Sequence, residues 1–138
     1  MTDLEMYSIF LQVVGASELL IERFLALLFG FLIASYLVSA KLDRVMIAIV
    51  LSLYSVMALR YAFVFLHTSD DVIALASELR ALAVDPGSSI SWLEIGPVHI
   101  LYPLVFAVMI FSYIASVIFF FLVRSSKEYQ REKLPQIE

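Results

Sequence analysis

The sequence predicts an all-α integral membrane protein: three transmembrane helices, an amphipathic helix ahead of the first, and another on the outer side between spans two and three. Composition is the first observation behind this reading. The 138 residues are 62% hydrophobic and 16% charged, whereas soluble domains sit near half apolar and a quarter charged. The second is length. Three runs almost free of charge are each long enough to cross about 30 Å of hydrocarbon. The third is charge asymmetry, because the basic residues collect on one side of those runs.

Residues 1–16 open the chain with "TDLEMYSIFLQVVG". Thr2 and Glu5 stand at capping-box spacing, and Leu4, Tyr7, Leu11 and Val14 recur every three or four residues. This predicts a short helix lying in the interface or packed on the spans. Asp3 and Glu5 stand where a secretory signal would carry basic residues. Span one covers 18–40 and is built on "FLALLFGFLIASYLVSA". The turn "KLDR" leaves room only for a tight helical hairpin. Span two covers 44–67 and is interrupted by a single charge, Arg60. Residues 69–85, with a Ser/Asp-rich start, acids in the first turn and a Pro-Gly stop, predict the outer amphipathic helix. Its shared face is Val72, Leu75, Ala76, Leu79 and Leu82. Around Trp92, "SWLEIGP" predicts interfacial re-entry, with Trp92 and Tyr102 in an aromatic belt. Span three covers 95–123. Inside it Pro103 removes a backbone donor and crowds the carbonyl of His99, so a kink is expected between 99 and 103. Residues 124–138 form a polar tail.

Lys and Arg set direction. Six of them (Lys41, Arg44, Arg124, Lys127, Arg131, Lys133) lie in the turn and tail, and three (Arg23, Arg60, Arg80) lie on the other side. The expected topology is N-terminus outside and C-terminus cytoplasmic, and the general character of the chain points to a bacterial inner membrane.

Arg60 raises the main chemical question. Counting about 1.5 Å per residue, Glu22 lies about 27 Å above the inner end of span one and Arg60 about 22 Å above that of span two. A Glu22–Arg60 pair across the hairpin is the simplest expectation, with Glu18 and Arg23 near enough to extend it. Such a pair would fix helix packing; lining a polar path or holding an anionic headgroup is the alternative. Higher up, Glu18, Arg23, His67 and His99 form an expected outer polar layer. It lacks the paired ligand spacing of a metal site, so no metal is expected.

Ala26, Gly30 and Ala34 recur at four-residue intervals, a small-residue stripe of the kind that lets membrane helices approach closely. Span two offers Ala48, Ser52 and Ser55, and span three Ser112, Ala115 and Ser116, as further small positions. Tyr54 and Tyr113 fall at similar depth, where their hydroxyls need partners. Hydroxyls on all three helices imply contacts with further copies or a larger partner. No catalytic motif is present, and the absence of Cys removes thiolate chemistry, so neither enzymatic activity nor a cofactor is expected. The acidic balance of −4 and scattered basic residues argue against nucleic acid. The expected partners are the lipid bilayer and either further copies of the chain or a larger membrane complex. The leading expectation is an accessory or assembly subunit acting through helix packing. A homo-oligomeric channel or membrane-perturbing effector with a polar site at Glu22 and Arg60 is the first alternative. A haem- or quinone-associated anchor is the second.

Overall fold

The structure is a computed structural model that describes residues 2–87 and 96–134. Among the described residues there is no strand. The chain forms α1 (Asp3–Val38), a 3-10 turn (Ser39–Lys41), α2 (Arg44–Val84) and α3 (Val98–Lys133). All three helices are long and apolar enough to cross a membrane. The Trp92 re-entry lies outside the described residues.

Helix α1 begins on the capping box its sequence implies. Thr2 Oγ1 accepts from the Glu5 amide at 3.2 Å, and Glu5 Oε2 accepts from the Thr2 amide at 2.8 Å. Asp43 caps α2, accepting from the Met46 amide at 2.8 Å. At the far end α2 stops at Val84 before the Pro86-Gly87 turn, where the Gly87 amide donates to Asp85 Oδ1. Helix α3 runs unbroken through Pro103.

Two expected boundaries do not appear. The N-terminal segment 1–16 is one helix with span one, and the outer segment 69–85 is one helix with span two. The reason is the same in both places. Ser17, Thr68 and Ser69 look like capping residues, yet each hydroxyl donates to a carbonyl three or four residues back: Ser17 to Val14 O, Thr68 to Val64 O and Ser69 to Leu66 O. A serine or threonine bonded this way satisfies itself inside a helix instead of starting a new one.

The α1–α2 hairpin is therefore long. At 36 and 41 residues the two helices extend about 54 and 62 Å. Helix α3 packs against both. Its main cluster buries Phe24, Phe31, Tyr54, Ala58, Ala62, Phe65, Met109 and Phe120. A second cluster holds the two helix ends together: Phe10 of α1 against Val72, Ala76 and Leu79 of α2, with Leu75 and Leu82 packed beside them. On α1 the buried face runs through Met6, Tyr7, Phe10, Val13 and Val14, so it is rotated from the expected one, and Leu4 and Leu11 are exposed. These ends pair with each other as extensions of the hairpin.

Tyr102 links the clusters. Its ring stacks on Phe65 at 5.5 Å, and its hydroxyl bonds Ser17 Oγ at 2.8 Å. Because Ser17 spends its one proton on Val14 O, Tyr102 is the donor. Arg124 marks the opposite level, donating to Ser39 O at 2.7 Å and Leu42 O at 2.8 Å across the hairpin turn. From Tyr102 to Arg124 the helix rises about 33 Å, close to the thickness of a hydrocarbon layer. The Arg124 level is called the basic end below, and the Ser17–Tyr102 level the acidic end.

Candidate functional site

Three features were candidates for a working site: the intramembrane charges, the polar layer above them, and the small-residue stripe.

Glu22 and Arg60 are both exposed, and among the described residues neither makes an ion pair or hydrogen bond. The pairing expected across the hairpin is not made. Depth arithmetic placed the two side chains at nearly one height, but matched height does not by itself bring two long exposed side chains together. Glu22 shares its stripe with Ala26, Gly30 and Ala34, on a side of α1 turned away from the core. Arg60 stands one turn beyond Met57 on the exposed side of α2. Two ends free in this way contribute little to each other. In detergent dilute enough to hold the chain monomeric, Glu22→Gln and Arg60→Gln are each expected to change stability by less than about 0.5 kcal/mol. Their double-mutant cycle is expected to give a coupling near zero; a coupling well above 1 kcal/mol would show that the pair forms after all.

The upper polar layer does not gather either. Glu18, Arg23, His67 and His99 are all exposed. Among the described residues no group of three or more His, Cys, Asp or Glu is placed to hold a metal.

Hydroxyl groups, in contrast, are brought together inside the bundle. Ser116 Oγ donates to Tyr113 O at 2.6 Å, so Tyr54 donates to Ser116 Oγ at 2.7 Å. Tyr113 in turn donates to Ser55 Oγ at 2.7 Å. The two tyrosines whose hydroxyls needed partners thus find them within the chain, and they lock α2 to α3. Phe31 of α1 stacks on the Tyr54 ring at 3.8 Å with the planes 4° apart, and lies 5.7 Å from Phe120. Polar bonds therefore join one helix pair, and ring stacking brings in the third helix.

The stripe behaves differently. Ala26, Gly30 and Ala34 are all exposed rather than buried in the three-helix core. They line a groove of about 430 Å³ between α1 and α2, with Phe31 and Tyr54 along it and Leu53 and Met57 on its far wall. A Cβ added at Gly30 meets no atom within 4 Å. The stripe thus opens outward, with room beside the backbone. On the other flank of α1, Leu28 and Leu32 face Ser112, Ala115 and Ser116 across a second groove.

Sequence reasoning missed the caps at the basic end. Besides Arg124, Lys127 donates to Tyr36 O and sits 4.4 Å from the Tyr36 ring centre. The last carbonyls of a helix have no partner within it, and cations favour that end of the helix dipole. The visible signal was four basic residues directly after an apolar run beside a tight turn, which charge counting assigned to topology alone.

No family model matches the chain, and neither does any curated protein or solved structure. Function is thus argued from this geometry.

Proposed function

We propose that the chain is a non-catalytic membrane subunit that works by receiving a neighbouring helix on the Ala26–Gly30–Ala34 face. The observation that carries this reading is the outward groove beside Gly30. In lipid the hydrophobic effect gives helices no reason to associate, so close backbone approach over small residues is a main source of affinity. A stripe consumed by the internal core would offer nothing to a partner; this one is open. The hydroxyls of Tyr54, Tyr113, Ser55 and Ser116 are satisfied internally, so they offer a partner little and packing at the stripe is the apolar attraction available.

The test is Gly30→Leu. Since the added Cβ points into open space, the monomer is expected to keep its helicity and thermal stability while association falls at least tenfold, about 1.4 kcal/mol. Extraction in native lipid particles, with the mass and all co-purifying chains identified, reads the result. Unchanged association in Gly30→Leu sinks the proposal.

A second reading, a homo-oligomer with a polar site at its subunit contacts, draws on Glu22 and Arg60. Both charges are unpaired at nearly the same height, and copies inserted in one direction would present each charge to the other's partner. A species at an integer multiple of 15.6 kDa favours it; a stoichiometric foreign chain favours the accessory subunit. In either case we place the basic end on the cytoplasmic side, following the bias of Lys and Arg, in a bacterial inner membrane.

A further inference from the structure

A third groove lies between the C-terminal end of α1 and α3, at the basic end. Its volume is about 420 Å³. On α3 its lining changes chemistry along the helix axis. Phe119, Leu122 and Val123 come first, then Ser126, Lys127 and Gln130. These positions share one helical face by their three- and four-residue spacing. Arg124, which caps the hairpin turn, stands at the changeover. Phe119 therefore lies about 8 Å on the apolar side of that level and Gln130 about 9 Å beyond it.

We propose that this groove binds one anionic phospholipid, with an acyl chain along Phe119, Leu122 and Val123 and the phosphate at Lys127, Ser126 and Gln130. The order of the groups is the order along a lipid molecule, and the changeover falls where the long apolar runs of all three helices end. The Lys127 ammonium is held in place twice, by its bond to Tyr36 O and by the Tyr36 ring. An ammonium carries three protons, so it retains donors for a phosphate oxygen, with the Ser126 hydroxyl and Gln130 amide beside it. The surroundings favour an anion. Arg131 and Lys133 follow on the same helix with Glu132 between them, and the nearby Glu128 is already engaged by Arg124 at 2.9 Å. Residues 124–133 carry four basic against two acidic side chains. Basic pockets between helices at a membrane boundary are a known way of holding acidic headgroups. The inference does not rest on the stripe face: the groove lies elsewhere on α1, and its occupancy is independent of helix association.

Native mass spectrometry of the full chain in micelles tests it, with phosphatidylglycerol and phosphatidylcholine of identical acyl chains added separately. One phosphatidylglycerol per chain is expected to be retained about tenfold more tightly than phosphatidylcholine. Lys127→Ala is expected to remove most of that preference. Because Lys127 also caps α1, Gln130→Glu serves as a second variant: the Gln130 side chain makes no hydrogen bond among the described residues, and the change is expected to weaken phosphatidylglycerol about fivefold. Arg44→Gln, outside the groove on α2, removes a basic charge from the same end and is expected to leave retention within about twofold. Equal retention of the two lipids would overturn the proposal. So would equal effects of Arg44→Gln and Gln130→Glu, which would mean diffuse surface charge. Displacement of the lipid by glycerol phosphate at matched concentration would overturn it too, since the site would then read a free phosphate rather than a lipid.

Discussion

Phe31→Ala is expected to lower the stability of the bundle by about 3 kcal/mol, the lower part of the range for emptying a buried aromatic site. The lower part applies because an unfolded helix in a bilayer or micelle keeps its side chains among hydrocarbon, which removes much of the transfer contribution. What remains is the cavity and the lost ring contacts. Phe31 is 7% exposed and supplies the stacked face for Tyr54, and such pairs add about 0.5–1.5 kcal/mol beyond burial. The ring also steadies the aromatic end of the Tyr54–Ser116 bond, so loss of Phe31 loosens α2 against α3 as well as α1. Phe29, two residues away and 58% exposed, is the matched control, and Phe29→Ala is expected to stay within about 0.5 kcal/mol. Unfolding in mixed micelles of increasing denaturing detergent reads both. Equal losses at the two positions would mean that the three-helix core is not organised around Phe31.

Arg124→Ala should come next in size, at about 2–3 kcal/mol. One guanidinium nitrogen donates to the carbonyls of Ser39, the first residue of the 3-10 turn, and Leu42, just past its end. Hydrogen bonds from charged groups contribute about 1.5–3 kcal/mol each. The total is set nearer a single bond because the side chain keeps 19% of its surface exposed, so water can replace part of what is lost. The effect should be local. Hydrogen exchange at residues 39–43 is expected to accelerate, while the Tyr54 layer keeps its protection. Arg131→Ala, an exposed residue of the same charge two turns further on, should do neither. If it matches Arg124→Ala, the turn is held by net charge and not by the two bonds.

The sequence carried the number of apolar helices, the tight turn, the Thr2–Glu5 cap and the Pro-Gly stop, because each depends on local chemistry: hydropathy over a window, a cap at fixed spacing, or a residue that cannot continue a helix. It failed where the same residue type has two local outcomes. Ser17 and Thr68–Ser69 could cap a new helix or bond back within an old one, and nothing in the neighbouring letters decides between them. It also failed where side-chain conformation matters. Glu22 and Arg60 were matched by height and continue the two walls of one groove, yet both side chains stay exposed without meeting. The stripe at Ala26, Gly30 and Ala34 was legible as a motif, but not its outward direction. Arg124 and Lys127 were counted as charges when their work is done through hydrogen bonds to carbonyls 82–91 residues earlier.

The unbroken course of α2 gives the molecule a mechanical character. Its ends are joined by one ladder of backbone bonds with no glycine or proline between Arg44 and Val84, and sharp helix bends nearly always need such a residue or an inserted group. Motion at one end therefore reaches the other as tilt instead of being absorbed at a joint. Pivoting about the capped turn by 10°, a rod of about 62 Å swings its far tip by about 11 Å. A neighbour pressing on the Phe10–Leu79 end thus shifts the α2 wall of the Gly30 groove, Leu53 and Met57, while the groove beside the capped turn stays close to the pivot.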